Sequence, residues 1–287
     1  MAQILYGAPV AAAINEKTSA RAAALRARGV VPCLAMLRLG EDGGSISYER
    51  AAAKRCAALG IDTRCFALPE SSTQAELLAL IDQINQDKTI HGCLLMLPLP
   101  AHLDEYAVCH ALRAEKDVDS VTPASMSYVF SGLGRGFAAC TAEACLKLLD
   151  YYGVALQGAR VAVIGRSLSV GRPLSMLLQG RNATVTVCHT GTRDLAAVCR
   201  EQDIVISAAG RAGLIGPEAL RAGQTVLDVG TSVGADGKLR GDLRFEEAEP
   251  VVRAVTPVPG GVGAVTSAVL AEHVVLAAER QLGIVGS

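Results

Sequence analysis

Short apolar segments alternate with helical segments along the chain, and this alternation constrains the fold more than any other feature. In the first half, apolar runs of strand length are separated by stretches with helical periodicity. A strand covered on both faces is expected to be apolar throughout. The predicted segments are helix Val10–Arg28, strand Val31–Leu37, helix Ser47–Leu59, strand Arg64–Leu68, helix Ser72–Asn85 and strand His91–Leu97. This order predicts an α/β fold with a parallel sheet and helices on both of its faces.

The pattern restarts after the glycine-rich stretch Ser131–Gly136. The second series consists of helix Thr141–Tyr152, strand Arg160–Ile164, helix Ser169–Leu178 and strands Ala183–Cys188, Asp203–Ile206 and Thr225–Asp228. Such a series is typical of a dinucleotide-binding unit. A final helix, about Ala264–Arg280, lies beyond that unit. We therefore expect a first domain over 1–137, completed by the C-terminal helix 265–287, and a dinucleotide-binding domain over 138–264.

Composition and charge exclude several classes of protein. The 287 residues carry 27 Lys+Arg against 28 Asp+Glu, so there is no basic surplus with which to bind a nucleic-acid backbone. The longest uncharged run, Ala254–Ala271, is broken by Pro257 and Pro259. No transmembrane segment is therefore expected. The N-terminus lacks the basic region of a signal peptide, which favours a cytoplasmic location.

The cysteines and histidines do not form a metal site in the sequence pattern. Nine cysteines, an odd number, are spread along the chain without a C-x-x-C pair. The five histidines form no H-E-x-x-H motif. We expect free thiols in a reducing compartment and no bound metal.

A glycine motif follows the first strand of the second half. Gly165 and Gly171 enclose the turn between strand Arg160–Ile164 and the next helix. Glycines there let the backbone approach a pyrophosphate, and the helix N-terminus supplies N–H groups. The spacing is G-x5-G rather than G-x-G-x-x-G, so a tight strand–helix turn without a ligand is the alternative interpretation.

The end of the second strand indicates which coenzyme binds. NAD-binding folds usually place an acidic residue there to hold the ribose hydroxyls, yet this chain has no acid before Asp194. Arg166, Ser167 and Thr190 can donate hydrogen bonds to a 2′-phosphate. These residues favour NADP over NAD. In the alternative interpretation, Arg166 forms only a surface ion pair and backbone groups hold the ribose.

Seven short motifs are distributed along the chain: Leu97–Pro100, Lys116–Asp119, Gly165–Pro173, Ala183–Thr186, Asp228–Gly230, Gly241–Asp242 and Thr256–Gly263. Through them the chain resembles, from Ala8 to about Arg280, the bifunctional methylenetetrahydrofolate dehydrogenase/cyclohydrolase family. The family oxidises 5,10-methylenetetrahydrofolate with NADP or NAD and hydrolyses the methenyl product to 10-formyltetrahydrofolate. The resemblance implies a two-domain homodimer, with a Rossmann-like NADP domain and folate bound between the domains.

The resemblance also implies site residues. Tyr48 and Asp119 match catalytic positions: Tyr48 is expected to stack on the folate ring system and Asp119 to hydrogen-bond the pterin. The other expected folate-binding residues are Leu97, Pro98, Pro259, Gly260 and Gly261. The expected coenzyme-binding residues are Gly165, Arg166, Ser167, Gly171, His189, Thr190 and Thr231. The alternatives are that Tyr48 is an ordinary helix residue, that Asp119 caps a helix or pairs with Lys116, and that the Pro259–Gly261 segment is a rigid connector.

Two family positions are altered. The family has a lysine four residues after the tyrosine, where this chain has Ala52, and a glutamine where it has Met96. In the family these two residues act together in the hydrolytic step. Lys54 is two residues further along the helix, about 200° around its axis, and is expected to point elsewhere. The sequence therefore predicts a dehydrogenase with weak or absent cyclohydrolase activity.

Three alternatives remain open at this point. A bifunctional enzyme would need Lys54 or Arg55 to reach the site by a shift of the helix. A shikimate- or amino-acid-type dehydrogenase shares the two-domain plan but needs a Lys–Asp pair for its carbonyl substrate, and Ala52 leaves no evident lysine. A non-catalytic folate- or nucleotide-binding protein would bind ligands without turnover.

Overall fold

The computed structural model describes residues 1–133, 136–234 and 237–285. Gly134 and Arg135, in the glycine-rich stretch predicted between the domains, lie outside the described residues. The chain divides into two compact units. Met1–Ala12 and Thr141–Thr266 form what we call the six-stranded unit. Ala13–Cys140, together with the chain from Ser267 onward, forms the three-stranded unit.

The strands and helices are numbered in chain order. The strands are β1 Gln3–Ile4, β2 Cys33–Leu39, β3 Asp62–Leu68, β4 Gly92–Leu95, β5 Arg160–Ile164, β6 Thr184–Cys188, β7 Ile204–Ser207, β8 Thr225–Asp228, β9 Ser232–Val233, β10 Leu239–Arg240 and β11 Ala254–Val255. The helices are α1 Gly7–Ala27, α2 Gly43–Leu59, α3 Gln74–Gln86, α4 Glu105–Ala111, α5 Pro123–Ser131, α6 Cys140–Tyr151, α7 Gly171–Gly180, α8 Leu195–Arg200, α9 Phe245–Ala248 and α10 Val262–Gln281. A 3-10 helix covers Pro217–Ala219.

The three-stranded unit contains a parallel sheet in the order β3-β2-β4. The central strand β2 is buried along most of its length, whereas the edge strand β3 contains only exposed and half-buried residues. Helix α2 ends at Gly60, whose positive φ of 77° is the left-handed conformation that glycine adopts readily. Helix α3 starts with a capping box between Thr73 and Glu76. The apolar runs of the first half thus form the predicted parallel strands.

The six-stranded unit contains a sheet in the order β1-β11-β8-β7-β5-β6. All of its pairings are parallel, and the inner strands β7 and β8 are fully buried. Strand β1 pairs with β11, which joins the N-terminal twelve residues to this unit. The predicted boundaries 1–137, 138–264 and 265–287 differ from this division chiefly there, because a two-residue strand carries no periodicity that the sequence reveals.

Helix α10 is long and apolar enough, by length and composition alone, to cross a membrane. The uncharged run Ala254–Ala271 covers only the first half of this helix, which begins at Val262 and continues past Glu272 to Gln281. The apolar window of α10 is 67% buried inside the protein. Core helices of globular proteins pass the same test, so the observation is weak evidence for a membrane span.

Two buried carboxylates hold the loops at one end of the six-stranded sheet. Asp242, 1% exposed, accepts hydrogen bonds from Ser207 Oγ at 2.8 Å, from Ala209 N at 2.7 Å and from Arg211 N at 2.7 Å. Asp228, 3% exposed, accepts from Asp242 N at 2.9 Å and from Leu243 N at 3.0 Å. Side-chain carboxylates therefore satisfy the backbone N–H groups that the strand ends leave unpaired.

These interactions predict how the stability of the six-stranded unit depends on pH. Burial raises the pKa of Asp228 to about 6, against the opposing effect of the backbone donors Leu243 and Asp242. The unfolded chain ionises such a carboxyl at about pH 4, so the folded state alone holds the proton between these values. The free energy of unfolding should fall by up to about 3 kcal/mol as pH rises through this window.

The comparison of Asp228→Asn with Asp203→Asn checks this prediction. Chemical unfolding at several pH values should show a flatter slope between about pH 4 and pH 6 for Asp228→Asn than for the parent. Hydrogen bonds from Arg160 lower the pKa of Asp203, so Asp203→Asn should leave the slope in that window unchanged. Equal slopes for Asp228→Asn and the parent would contradict the assignment.

Candidate active site

The turn between β5 and α7 brings the backbone of two segments into close contact. Gly165 has a φ of 119°, and a Cβ atom there would lie 2.3 Å from the carbonyl oxygen of Ala208. A Cβ on Gly171 would lie 2.1 Å from the carbonyl oxygen of Gly165. Helix α7 has no side-chain cap at its N-terminus. The turn is therefore as tight as a pyrophosphate-binding turn requires. The first two N–H groups of α7 are bonded to Ser167, at its hydroxyl and its carbonyl.

The side chains of this turn divide between internal and outward roles. Ser167 Oγ accepts from Val170 N at 3.1 Å, so this hydroxyl stabilises the turn itself. Arg166 is exposed and forms no ion pair within the described part of the chain. Arg166 therefore has no ion-pair partner among the described residues, contrary to the interpretation of it as a surface ion-pair residue. Its guanidinium can bind an anionic ligand.

The neighbouring strand places His189 and Thr190 beside the turn. Strands β5 and β6 are adjacent, and Gly165 N donates to the carbonyl of Cys188 at 2.9 Å. His189 Nδ1 accepts from Gly191 N at 3.0 Å. Because Nδ1 acts as the acceptor, a neutral imidazole carries its proton on Nε2. The hydroxyl of Thr190 is exposed at the same strand end.

Asp194, the first acid after β6, is used in the fold. Its Oδ1 accepts from Ala197 N at 3.0 Å and caps α8. The neighbouring ends of β5 and β6 therefore present the guanidinium of Arg166 and the hydroxyl of Thr190, and the Asp194 carboxylate beyond them is used in capping α8. This arrangement fits the 2′-phosphate of NADP better than the 2′-hydroxyl of NAD.

The remaining residues predicted for the six-stranded unit lie further along the sheet. Thr231 is exposed just beyond β8, which is separated from β5 by β7. Pro259 and Gly260 are exposed and Gly261 is buried, beyond β11. Gly7 N donates to the carbonyl of Gly260 at 2.8 Å. The glycine turn thus packs directly against the N-terminal segment, whatever ligand it also contacts.

In the three-stranded unit, α2 places Tyr48 and Ala52 one turn apart. Residues four apart lie on one face of a helix, and this face continues through Cys56 to Leu59. Ala52 is 2% exposed, whereas Tyr48 keeps 37% of its surface exposed. Lys54 is exposed, as the rotation around the helix predicted. The family's lysine position is thus a buried alanine in this chain.

Strand β4 ends one residue before Met96. Met96 N donates to the carbonyl of Leu37 at 2.9 Å, which fixes its backbone at the end of the sheet. The predicted strand His91–Leu97 is longer than the observed one, so Leu97 and Pro98 lie in a loop with exposed surfaces. The side chain of Met96 is half-buried and, as a thioether, offers only a weak acceptor to a polar group.

The motif Lys116–Asp119 continues alongside β4 and is anchored by its own side chains. Cys93 N donates to the carbonyl of Lys116 at 2.6 Å. Lys116 Nζ donates to the carbonyls of Ile84 and Asp87, at the C-terminus of α3. Asp117 accepts from Val121 N at 3.0 Å and from Thr122 N at 2.8 Å. Lys116 and Asp117 therefore hold the segment in place.

Asp119 is the carboxylate of this motif that can reach a ligand. Its Oδ1 accepts from Cys140 N at 2.8 Å, at the first residue of α6. The capping interpretation of Asp119 is therefore correct in part, whereas Lys116 is bonded to backbone carbonyls. A carboxylate accepts about four hydrogen bonds, so Asp119 can also bind a ligand.

The charge of Asp119 acts on Tyr48. Burial, followed by the charge of Asp119, raises the pKa of the Tyr48 phenol above its usual value. Burial also raises the pKa of Asp119, and hydrogen bonds from Cys140 oppose that effect. Tyr48 is therefore a neutral hydrogen-bonding phenol at physiological pH. The structure thus brings together two residues that lie on separate elements in the sequence.

Metal ligation has no candidate among the described residues. No group of three His, Cys, Asp or Glu side chains within 1–133, 136–234 and 237–285 is placed to hold an ion. All nine cysteines are free, and eight of them are buried.

Sequence reasoning missed several residues that shape these sites. Cys140 and His273 both contact the carbonyl of Val118, next to Asp119. Asp242 organises the loops beyond β7 and β8. For Asp242, the motif Gly241–Asp242 was a usable signal. The position of His273 within a mostly apolar helix was the only signal for that residue.

Comparison with known proteins reveals clear relatives. The family model described as tetrahydrofolate dehydrogenase/cyclohydrolase, catalytic domain, matches residues 5–119, and the NAD(P)-binding domain of the same name matches residues 139–282. The bifunctional protein FolD of Carboxydothermus hydrogenoformans is 44% identical over 99% of this chain and 100% of its own length.

Solved structures agree with this relationship. The bifunctional FolD enzyme of Campylobacter jejuni has a TM-score of 0.95 and 38% identity, covering 98% of this chain and 99% of that chain. The Trypanosoma brucei methylenetetrahydrofolate dehydrogenase-cyclohydrolase, solved with NADP and an inhibitor, has a TM-score of 0.93 and 34% identity over 98% of both chains.

The tight turn predicts that two glycines of one helix differ in their tolerance of alanine. Gly171→Ala should lower the free energy of unfolding by about 3 kcal/mol or more and abolish coenzyme binding, since its Cβ meets backbone atoms. At Gly180, at the other end of α7, an added Cβ atom would have no neighbour within 4 Å among the atoms of the described residues. Gly180→Ala should be neutral or stabilising by up to about 1 kcal/mol. Thermal unfolding and coenzyme titration measure both effects, and equal behaviour of the two variants would contradict this account.

Proposed function

We propose, because the chain belongs to the tetrahydrofolate dehydrogenase/cyclohydrolase family, that it oxidises 5,10-methylenetetrahydrofolate to 5,10-methenyltetrahydrofolate with NADP and has little or no cyclohydrolase activity. One observation carries the second half of this proposal. Ala52, buried one helical turn beyond Tyr48, occupies the position at which the family resemblance requires a lysine. The tight coenzyme turn and the Tyr48–Asp119 pair, which the oxidation uses, are present.

The oxidation depends on positioning two bound molecules. NADP, when bound, accepts a hydride from the methylene carbon. The nitrogens of the folate itself stabilise the resulting cation, so the protein need not supply an acid or base. The chain's part is to hold the coenzyme at Gly165–Gly171 and to orient the folate. Tyr48 would stack on the folate ring system and Asp119 would accept hydrogen bonds from the pterin.

The other site residues have supporting roles in this proposal. Leu97 and Pro98, exposed beyond β4, would contact the folate, as would Pro259, Gly260 and Gly261. Thr231, exposed beyond β8, would contact the coenzyme, together with Ser167 and His189. Ligand titrations of single variants at these positions test each assignment separately.

The hydrolysis needs polar groups that this chain lacks at the family positions. Water must be directed at the methenyl carbon, and a proton must move as the ring opens. Neither the methyl group of Ala52 nor the thioether of Met96 can donate a hydrogen bond. Loss of positioned acid–base groups typically slows such a step by about 10²–10⁴-fold. A separate hydrolase would then have to consume the methenyl product.

A fully bifunctional enzyme is the alternative, and the names of its relatives favour it. The relatives compared above are named as bifunctional proteins. Such an enzyme would require another cation to take over the role of the lysine. Lys54 is exposed and Arg55 half-buried on other sides of α2, so either would need the helix to rotate.

The assembly and location of the protein follow the same resemblance. We propose a homodimer, which sedimentation equilibrium tests directly. A cytoplasmic location agrees with nine free cysteines, since a reducing compartment keeps thiols unpaired. Fractionation of the source cells tests that assignment.

The oxidation itself is tested with purified protein, methylenetetrahydrofolate and either NADP or NAD. Formation of reduced coenzyme that depends on the folate would support the proposal. Binding of both ligands without turnover would instead indicate a non-catalytic binding protein.

The coenzyme assignment predicts the effect of removing one guanidinium. Arg166→Ser should raise the KM for NADP by about ten- to a hundredfold, because it removes charge-assisted hydrogen bonds to the 2′-phosphate. The KM for NAD should change little, since NAD lacks that phosphate. Arg28→Ser, an exposed arginine of the three-stranded unit, serves as the matched control. An equal rise in KM for both coenzymes would show that Arg166 contacts a part of the coenzyme other than the 2′-phosphate.

The hydrolytic assignment predicts a gain of function. In the double variant Ala52→Lys/Met96→Gln, the new lysine side chain would lean toward the N-terminus of α2, and hence toward Tyr48. Loss of methenyltetrahydrofolate should accelerate by about 100-fold or more over the parent. Ala51→Lys with Met96→Gln, in which the lysine replaces an exposed alanine, should not accelerate it. Equal rates in the two double variants would refute the assignment.

A further inference from the structure

We propose that His273 is a positioning residue for folate binding, and that it acts on Asp119 through the carbonyl group of Val118. This inference rests on the proposed role of Asp119 as the residue that holds the pterin. His273 lies on α10, far from Asp119 in sequence, and is 2% exposed. It is not one of the residues that the family resemblance assigns to ligand binding.

Two side chains converge on the carbonyl oxygen of Val118. His273 Nδ1 lies 2.9 Å from that oxygen, and the thiol of Cys140 donates to it at 3.3 Å. An unprotonated Nδ1 would direct its lone pair at the oxygen and repel it, so Nδ1 must carry the proton and donate. Cys140 Sγ lies 3.7 Å from the same nitrogen, a longer contact than the one to the carbonyl. The carbonyl thus accepts from both side chains.

The peptide group of Val118 leads directly into Asp119. Its carbonyl fixes the plane from which the Asp119 side chain leaves the backbone. Cys140 N holds Oδ1 of Asp119 at 2.8 Å. Cys140 therefore contacts both the carboxylate and the preceding carbonyl, and His273 contacts that carbonyl and the Cys140 thiol. Removing the His273 donor leaves only the weaker thiol donor of Cys140 on this carbonyl, so the peptide plane can tilt and shift the carboxylate relative to a bound pterin.

The imidazole ring is held in its orientation by packing. The Phe137 ring lies 4.8 Å from the His273 ring, centroid to centroid. The guanidinium of Arg280 lies over the Phe137 ring, 4.6 Å from its centroid. His273 and Arg280 are seven residues apart and share one face of α10. Arg280 Nη1 also donates to the carbonyl of Gly136 at 3.0 Å, which fixes the guanidinium.

The rest of the segment has anchors of its own. Lys116 and Asp117 are bonded to α3 and to the start of α5, independently of His273. Loss of the His273 bond should therefore leave the path of the segment intact and change mainly the Val118–Asp119 peptide. The expected consequence is weaker folate binding, with coenzyme binding unchanged.

The test compares His273→Leu with His273→Asn. Leucine removes the donor, whereas the Nδ2 of asparagine can occupy the place of Nδ1 and donate to Val118. His273→Leu should raise the KM for methylenetetrahydrofolate about tenfold, the usual effect of one lost hydrogen bond, and leave the KM for NADP within twofold. His273→Asn should restore the folate KM to within about threefold of the parent. Equal folate KM values for leucine and asparagine, or equal changes for folate and NADP, would overturn the inference.

A second buried histidine supplies the matched control. His91, in the same unit, uses its Nδ1 to accept from Cys33 N at 3.1 Å, at the start of β2. His91→Leu should lower the melting temperature without raising the KM for folate. A comparable rise in the folate KM for His91→Leu would show that any buried histidine has this effect.

A double-mutant cycle shows whether His273 acts through Asp119. In an Asp119→Asn background, His273→Leu should raise the folate KM by a smaller factor than in the parent, because the carboxylate that His273 positions has already been altered. Additive losses would overturn the inference. If His273→Leu does not fold, Cys140→Ala removes the other donor to the same carbonyl. It should raise the folate KM severalfold, and an unchanged KM would overturn the inference. Absence of dehydrogenase activity in the parent would be a failure of the proposed function instead.

Discussion

The loops that carry the candidate site residues are held by buried polar side chains bonded to backbone groups. In a parallel sheet, ligands bind beyond the carboxyl ends of the strands, where the chain leaves the regular hydrogen-bonded ladder. The backbone N–H and C=O groups there need partners. In the six-stranded unit the carboxylates of Asp228 and Asp242 supply them. In the three-stranded unit Lys116, Asp117 and Asp119 do so. Changing one of these side chains therefore alters the position of a loop as well as a local bond.

This organisation explains how one motif serves two purposes. Lys116 and Asp117 are bonded to backbone groups that hold the segment, while Asp119 accepts one backbone bond and keeps acceptor capacity for a ligand. Likewise, Ser167 stabilises the coenzyme turn from within, while Arg166 remains exposed. The supporting residues and the ligand-binding residues of each motif are neighbours in sequence because the same short loop needs both.

The regular part of the fold could be predicted from the sequence, and its physical origin explains why. The buried strands β2, β5, β7 and β8 are recognisable in the sequence as apolar runs, and Gly60 marks the end of α2. The coenzyme turn was visible because only glycine permits the close backbone contact at Gly171. The departure at Ala52 was visible because the family resemblance implies a lysine four residues after Tyr48.

Features that depend on distant partners could not be predicted in this way. Strands β1 and β11 are two residues long, and their pairing joins opposite ends of the chain. The antiparallel strands β9 and β10 also have only two residues each. The contact of His273 with Val118 spans 155 residues, and no local pattern specifies it. The internal role of Lys116 was also hidden, since its partners are backbone carbonyls that any residues could provide.

The central claim is that this chain oxidises methylenetetrahydrofolate without hydrolysing the product. The most direct measurement supplies methenyltetrahydrofolate to the purified protein and follows its loss against a buffer control. Reduction of NADP with methylenetetrahydrofolate, measured on the same preparation, shows that the enzyme is active. The buried Ala52 predicts that the methenyl compound is lost no faster with the protein than in the buffer control. Rapid hydrolysis by a preparation that also reduces NADP would contradict it and would show that another residue supplies the role of the lysine.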